Sequence, residues 1–174
     1  MANITKFMGQ FRGGTRPNRF RVILTYPGLV GSPNVQDEIV VTAASIPEST
    51  IGRIDVPYMG RTIPLPGTRQ FPDWTISVTN DTTFSHRNAF EKWLNALNAH
   101  EGNTQATLDT RALMATLDVA QLDLNSDNVL KNYKFYNAFP TNLSPIDLSY
   151  SNNDQLSSFS VTFAYSHWGA NTTT

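Results

Sequence analysis

The sequence predicts a mainly β protein that carries one α-helix. Residues 20–26, 74–79 and 158–166 alternate apolar and polar side chains with a period of two, which is typical of half-buried strands. One other stretch, residues 84–99, repeats apolar side chains at three- and four-residue spacing, as an amphipathic helix does. The 174 residues are enough for one domain, 1–174, with its own hydrophobic core.

The predicted strands follow the chain in order. Residues 20–26 place aromatic and aliphatic side chains on one face, and Pro27-Gly28 ends the run. Residues 38–44 form a second β-branched run, which Ile46-Pro47 ends. In the last two strands, 74–79 and 158–166, the second face consists of small uncharged residues, mostly Ser and Thr. Such a face suits a surface that meets another molecule without adhering to it.

Residues 57–73 are predicted to form a projecting arm. They contain four prolines and two glycines, together with recurring apolar and aromatic residues. Proline fixes φ and glycine reaches positive φ, so the segment should be stiff and shaped. Gly67, which follows Pro66, is predicted to supply a turn at positive φ that directs the arm back to the next strand. An assembling subunit could bury an apolar arm of this kind against a neighbour.

The single predicted helix spans residues 84–99. Asp81 is its predicted cap, and Glu101-Gly102-Asn103 its stop. Its aromatic stripe, with Phe90 and Trp93, is assigned to the core, where Trp93 should pack against the strand that carries Trp74. Residues 110–117 fit either a short second helix or a strand.

Composition excludes several classes of protein. The chain has no cysteine, so disulfides, thiolate catalysis and Cys-ligated zinc are ruled out. The first ten residues lack the apolar core of a signal peptide, and no apolar run approaches the length of a membrane span. The cytoplasm is therefore the expected compartment, without membrane insertion. Charged residues make up only 16% of the chain, which indicates that part of the surface is covered by a partner.

Charge is unevenly distributed along the chain. Residues 1–36 carry five basic residues and no acid, and Lys6, Arg12 and Arg16 lie in a basic N-terminal arm, residues 1–18. Residues 101–174 have a net charge of −4. Such polarity would allow copies to stack head to tail, although a solvated basic tail without a partner explains the same pattern.

No arrangement of residues points to catalysis or to a cofactor. His86, His100 and His167 have no metal-ligand spacing, and the nucleophile-elbow and phosphate-loop motifs are absent. His86, on the helix, is expected to be exposed or at an interface, and Asp73 to end the arm as a turn or strand-edge residue. Residues 123–127 faintly resemble a calcium loop but lack the closing glutamate. We therefore expect no enzyme, no metal and no cofactor.

Several motifs, in a consistent order, resemble the tail tube protein of contractile-tailed phages. The likeness extends from about residue 20 to residue 168, and one motif also resembles tube proteins of related contractile injection systems. The motifs are Pro66-Gly67-Thr68-Arg69-Gln70-Phe71, Trp74-x-x-x-Val78-x-Asn80-Asp81, Phe84-x-x-Arg87-x-x-Phe90-Glu91-x-Trp93, Tyr136-Asn137-Ala138-Phe139-Pro140-Thr141 and Phe159-x-Val161-x-Phe163-x-Tyr165-x-x-Trp168.

The resemblance implies a specific architecture and role. Members of this family fold as a small antiparallel β-barrel or sandwich flanked by one α-helix, whose strands join neighbouring subunits into a hexameric ring. Rings stack into a tube inside a contractile sheath, and a projecting loop and the N-terminal segment help the stacking. The implied partners are further copies, the sheath, the baseplate and tube-terminator proteins, with DNA passing through the lumen without sequence-specific binding. The implied location is the virion tail, assembled in the host cytoplasm.

Combined with the residue patterns, this architecture suggests three sets of functional residues. The inter-subunit candidates are Lys6, Arg12, Arg16, Tyr58, Arg61, Pro66, Gly67 and Arg69. The candidates for core and cap are Trp74, Asp81, Phe90 and Trp93. The lumen-lining candidates are Thr75, Ser77, Thr79, Ser160 and Thr162, for which an ordinary solvent-facing role is equally compatible with the alternation.

Other functions remain open at this point. A tube initiator or baseplate component would share the fold but would cap the tube instead of extending it, and the tube could belong to an injection system. A monomeric β-sandwich that binds sugar or peptide would use its aromatic residues as a platform. A hydrolase would depend on Asp73 or His86.

Overall fold

The computed structural model describes residues 3–11, 14–33, 37–151 and 153–173. The helices in these ranges are α1 (Ile4–Phe11), α2 (Asp37–Val40) and α3 (Ser85–Leu97), with a 3-10 turn at Thr110–Leu113. The strands are β1 (Phe20–Leu24), β2 (Val41–Ala44), β3 (Thr50–Tyr58), β4 (Arg61–Gln70), β5 (Trp74–Thr79), β6 (Ala115–Leu122), β7 (Val129–Leu143), β8 (Ser158–Ala164) and β9 (His167–Ala170).

Seven strands form one antiparallel sheet in the order β1-β6-β7-β8-β5-β2, with β9 also paired to β7. The long strand β7 joins the two halves, because its first part pairs with β6 and β9 and its last part pairs with β8. Asn137 lies between these two parts with a positive φ of 53°, where the register between β6 and β7 shifts. The terminal strands β1 and β2 do not pair with each other in the described residues, so the sheet is open. The remaining strands, β3 and β4, form a separate hairpin.

One continuous core lies between the sheet and α3. Trp74 stacks on Phe135 at 4.4 Å between ring centroids. Phe163 contacts both Trp74 and Trp93, at 5.9 Å and 6.2 Å, and thereby links β5 to the helix. Phe90 and Trp93 are fully buried, and the Trp93 Nε1–H donates to the Leu113 carbonyl at 2.7 Å. Aromatic packing of this kind makes α3 the cover of the core.

The prediction of a mainly β fold with antiparallel strands and one substantial flanking helix is confirmed, whereas one strand boundary is wrong. Residues 37–40 form the short helix α2, and only Val41–Ala44 is a strand. The Asp37 carboxylate accepts a hydrogen bond from the Leu24 backbone amide at 2.8 Å. This side chain therefore binds the backbone of the edge strand β1, and its residue does not extend β2. In residues 110–117, a 3-10 turn is followed by the start of β6.

Candidate assembly surfaces

The hairpin formed by β3 and β4 is exposed along almost its whole length. Every residue of β3 is exposed, and so is every residue of β4 except Gly67. Met59 and Gly60 connect the strands with φ values of 44° and 77°. Positive φ at both positions is the signature of the two-residue turn that matches the natural twist of a hairpin. The predicted arm, residues 57–73, therefore covers only the tip and second strand of a hairpin that starts at Thr50.

One face of the hairpin is apolar. Ile54 lies opposite Leu65, Val56 lies opposite Ile63, and Tyr58 lies opposite Arg61 near the tip. Ile54 and Tyr58 remain 53% and 60% exposed. An isolated two-stranded hairpin is marginally stable in water, and a contiguous exposed apolar surface usually marks an interaction site. We call this surface the apolar hairpin face, made of Ile54, Val56, Tyr58, Ile63 and Leu65.

The opposite face of the hairpin is polar and rich in proline. Arg53 and Asp55, two residues apart on β3, form an ion pair on this face, at 2.6 Å between the Arg53 Nε and the Asp55 Oδ1. Pro57, Pro64 and Pro66 lie in alternate cross-strand pairs on this face. Proline lacks an amide hydrogen, so it suits the set of pairs whose amides point away from the partner strand. The two faces differ enough in chemistry for one to be covered while the other stays in water.

The predicted turn at Gly67 is wrong. Positive φ occurs at Gly60, whereas Gly67 lies within β4 outside that region. At Gly67 the two strands approach closely, and an added Cβ would lie 3.0 Å from the carbonyl oxygen of Gly52, next to the register shift between Ile51 and Arg53. The Pro-Gly pair resembled a turn, but here glycine permits close contact between backbones at an irregular pair.

Two further arm candidates lie at opposite ends of the hairpin. Arg61 follows the tip and is exposed. Arg69 is near the base, where its Nη1 lies 3.5 Å from the Ser49 hydroxyl. The structure thus brings the predicted arm residues onto one hairpin but spreads them along its length and over both faces.

The N-terminal segment contains an amphipathic helix that the sequence analysis missed. Ile4, Phe7, Met8 and Phe11 form one stripe of α1, and they are 75%, 61%, 69% and 55% exposed. Phe7 and Phe11 stack at 5.0 Å. The spacing i, i+3, i+4, i+7 was the signal that could have revealed this helix. Lys6 is exposed on the same helix.

The basic segment is partly neutralised within the chain. Arg19 pairs with Asp127 at 3.3 Å and donates to the Asp123 carbonyl at 3.2 Å, which holds the turn between β6 and β7. Arg16 is exposed, and its backbone carbonyl accepts a hydrogen bond from the side-chain Nε2–H of Gln121 at 2.7 Å. Arg12, another inter-subunit candidate, lies outside the described residues. Electrostatic attraction between this basic segment and an acidic surface of another copy would therefore depend mainly on the basic residues before Arg19.

The lumen candidates form one uncharged sheet face. Thr75 pairs with Thr162, Ser77 with Ser160, and Thr79 with Ser158. The Thr75 and Thr162 hydroxyl oxygens are 3.0 Å apart. The intervening side chains of β5 and β8 are buried in the core, so all five candidates point away from it. We call this surface the hydroxyl face.

Asp81 binds the first turn of α3 without occupying the position next to the helix. Phe84 holds that position with a left-handed φ of 52° and provides no side-chain hydrogen bond. The Asp81 carboxylate instead accepts hydrogen bonds from the Ser85 amide at 2.9 Å and from the Ser85 and Thr83 hydroxyls. The Thr83 hydroxyl contributes most to lowering the pKa of Asp81, and the Ser85 amide adds to the effect.

The expectation that His86 is exposed or at an interface is wrong. His86 is 2% exposed, its Nδ1 lies 3.1 Å from the Tyr26 hydroxyl, and it lies 3.6 Å from the Asp37 carboxylate. Burial raises the pKa of Tyr26, and the nearby Asp37 charge raises it further. This buried network joins α3 to α2 and to the segment after β1, which gives His86 a structural role.

The residues considered for catalysis lie in different environments in the structure. Asp73 and His100 are exposed, whereas His86 is enclosed with Tyr26 and Asp37. Among the described residues, no group of three or more His, Cys, Asp or Glu side chains could hold a metal ion. No helix in the described ranges has the length and apolarity needed to cross a bilayer.

Sequence comparisons identify close relatives over nearly the full chain. The sequence model of the family described as phage tail tube protein matches residues 15–171 of this chain. The tail tube protein of Serratia phage KSP90 is 30% identical over 170 residues, which cover 95% of both chains. Tail tube protein gp19 of Enterobacteria phage T4 is 29% identical over 153 residues, or 88% of this chain and 90% of the relative.

Solved structures with the same fold come from contractile injection systems. The tube-terminating cap of the anti-feeding prophage has a TM-score of 0.64 and 20% identity over 90% of each chain. A chain of the sheath–tube complex of an extracellular contractile injection system has a TM-score of 0.59 and 14% identity, covering 98% of this chain and 99% of its own. At these identities the likeness establishes the fold alone.

Proposed function

Because the chain belongs to the phage tail tube protein family, we propose that it is the repeated subunit of the inner tube of a contractile tail. In this proposal hexameric rings stack into a hollow tube, and DNA passes through the lumen into the host. Members of the family are components of the virion tail, where this chain would be a structural protein without enzymatic activity.

The observation that carries the proposal is the apolar hairpin face. Five large side chains on one side of an isolated hairpin are exposed in the single subunit. Burying an aliphatic side chain of this size contributes about 1.5–3 kcal/mol, so docking on a neighbouring copy would stabilise both the hairpin and the assembly. A ring or stack needs two different complementary surfaces on every subunit, and a projecting hairpin can serve as one of them.

The N-terminal helix is a second candidate for contact between copies. Its apolar stripe is exposed, and Lys6, Arg12 and Arg16 give the segment a positive charge that could meet the acidic C-terminal third of another copy. Tyr58, Arg61, Pro66, Gly67 and Arg69 contribute through the hairpin. Deleting residues 1–13 keeps the bond between Arg16 and Gln121, and we expect it to weaken stacking while leaving the fold intact.

The hydroxyl face is the candidate for the lining of the lumen. Its side chains are small, uncharged and able to bind water, so a moving polyanion would find no cation to which it could adhere. Closing β1 and β2 against strands of neighbouring subunits would also remove the two open edges of the sheet. Sheath, baseplate and terminator proteins would contact the remaining outer surfaces and the two ends of the tube.

Electron microscopy of the purified chain tests the assembly. The expected result is hollow filaments of uniform bore with hexameric symmetry in cross-section. Isolated rings without filaments would favour a tube initiator or baseplate protein of the same fold. A strictly monomeric, folded protein at high concentration would contradict assembly.

Cysteine labelling tests the lumen, and the natural chain has no cysteine that would react. Ser77→Cys or Ser160→Cys should react with small and polymer-linked maleimides in unassembled subunits. In tubes, the bulky reagent should lose access along the bore while the small one retains it. Equal reaction with the bulky reagent before and after assembly would place the hydroxyl face outside the lumen.

A further inference from the structure

The hairpin is joined to the sheet by two short segments, residues 45–49 and 71–73, which we call the hairpin root. These segments connect β2 to β3 and β4 to β5. Neither hairpin strand pairs with the seven-stranded sheet. The direction in which the hairpin projects therefore depends on what holds the root.

Two tryptophans hold the incoming segment by their indole N–H groups. The Trp74 Nε1–H donates to the Ser45 carbonyl at 2.8 Å, and the Trp168 Nε1–H donates to the Glu48 carbonyl at 3.1 Å. Trp74 is anchored in the core, whereas Trp168 lies on β9, the last strand of the sheet. The two carbonyls are three residues apart, so the incoming backbone is held at two points.

The outgoing segment is held by aromatic contacts. Phe71 packs against Tyr165 and Trp168, with ring centroids 6.2 Å and 6.4 Å apart. Tyr165 in turn meets Phe135 of the core edge-on at 4.9 Å, and Trp168 meets Tyr133 at 5.5 Å. Trp168 therefore contacts both segments of the root.

Acidic side chains flank the same cluster. Burial raises the pKa of Tyr165, and the charges of Asp73 and Glu48 raise it further. Asp73 and Glu48 belong to the outgoing and incoming segments, respectively, so both segments lie close to the Tyr165 ring. Aromatic packing and hydrogen bonding thus converge where the hairpin leaves the sheet.

We propose that Trp168, together with Phe71, is a positioning residue for assembly: it holds the root so that the hairpin is aimed at its neighbour before contact. This inference rests on the proposed tube function, because it treats the hairpin as the docking element. A hairpin held in its bound direction loses less conformational freedom on docking, and association is correspondingly tighter. Trp168 achieves this without belonging to the apolar hairpin face.

Distances between two spin labels in unassembled subunits directly test the direction in which the hairpin projects. Labels at Thr62→Cys, on the polar hairpin face, and at Lys92→Cys, exposed on α3, report the hairpin direction relative to the body. The Trp168→Phe variant keeps an aromatic ring but loses the bond to Glu48. We expect a single narrow distance distribution in the parent and a broadened one in Trp168→Phe and in Phe71→Leu.

Trp93→Phe is the matched control. It also removes one indole N–H bond, to the Leu113 carbonyl, but within the core beneath α3. We expect it to lower the melting temperature while leaving the distance distribution unchanged. A narrow, unshifted distribution in Trp168→Phe, or the same broadening in Trp93→Phe, would overturn the inference.

Tube growth supplies the functional readout. The critical concentration for assembly should rise about fivefold in Trp168→Phe, the change expected for one lost hydrogen bond, at temperatures where the subunit remains folded. A broadened distance with an unchanged critical concentration would also overturn the inference, because docking would then need no preset direction. If the parent forms no tubes, the proposed function fails, and the distances alone still decide whether the root aims the hairpin.

Discussion

The strand pairs β5–β8 and β3–β4 share a pattern but end in opposite environments. Both are antiparallel and alternate apolar with polar or small side chains. In β5–β8 the apolar side faces the core, where Phe159, Val161 and Phe163 are almost fully buried. In β3–β4 the apolar side stays exposed, with no comparable cover from the part of the chain that the structure describes. Alternation therefore predicts which residues share a face but leaves open whether the cover comes from the same chain.

The two strand pairs differ in whether a helix packs against their apolar side. Helix α3 lies over β5–β8 and contributes Phe90 and Trp93, whereas within the described residues no helix packs extensively on the hairpin. The prolines differ too, since β4 carries Pro64 and Pro66 while β5 and β8 carry none. Proline suits strands at the edge or outside of a sheet. This apolar face on a proline-bearing hairpin is therefore the surface that we propose to be buried between subunits.

Truncating Trp93, the α3 side chain that packs on β5–β8, should have the largest effect on stability. Trp93→Ala leaves a cavity beside Phe163, and we expect it to lower the free energy of unfolding by about 3–5 kcal/mol. Urea titration of unassembled subunits measures this change. Lys92→Ala, exposed on the same helix, should change it by less than about 0.5 kcal/mol. Equal stability of the two variants would mean that α3 does not close the core.

A charge introduced on the exposed apolar face of the β3–β4 hairpin should affect assembly instead of folding. Ile63→Asp introduces a carboxylate on the apolar hairpin face and removes an aliphatic side chain worth about 1.5–3 kcal/mol when buried. We expect the critical concentration for tube growth to rise about tenfold to a hundredfold, with the melting temperature of the subunit unchanged.

The adjacent variant Thr62→Asp provides the control for this prediction. It adds the same charge on the polar hairpin face. Light scattering during assembly should show a much smaller delay for Thr62→Asp than for Ile63→Asp. A similar delay in both variants would indicate general charge repulsion, and the apolar hairpin face would then lose its assigned role.

The two regions also show how far sequence patterns reach. Strands β5 and β8 and helix α3 were predictable because their periodicity and their burial agree, as the positions of Trp74 and Phe90 illustrate. His86 was not predictable, since its burial depends on Tyr26 and Asp37, which are distant in sequence. The hairpin was predicted as an arm, but its turn was misplaced because Pro66-Gly67 is locally indistinguishable from a turn. The close approach of Gly67 to the backbone of a second glycine, Gly52, emerges only in three dimensions.

The close approach at Gly67 gives a milder way to disturb the hairpin. In Gly67→Ala the new methyl group would meet backbone atoms of Gly52, and the strands must separate to accommodate it. We expect a cost of about 1–2 kcal/mol, seen as a higher critical concentration with an unchanged melting temperature of the core. Gly28→Ala, where an added methyl group meets nothing within 4 Å, should assemble normally. Normal assembly of Gly67→Ala would show that the hairpin tolerates a shifted register when it docks.

The smallest expected effect on stability concerns Asp81, whose carboxylate binds the first turn of α3. The pKa of Asp81 is lowered in the folded state by the Thr83 hydroxyl and by the Ser85 amide and hydroxyl. A lowered folded-state pKa means that the carboxylate stabilises the protein above its unfolded-state pKa of about 3.9. This contribution is lost as the pH falls through the lower, folded-state pKa. Asp81→Ala should therefore be less stable than the parent near neutral pH, and the difference should shrink in acid. Urea titrations at several pH values measure this difference, and a constant gap between Asp81→Ala and the parent would mean that the Asp81 charge does not stabilise the first turn of α3.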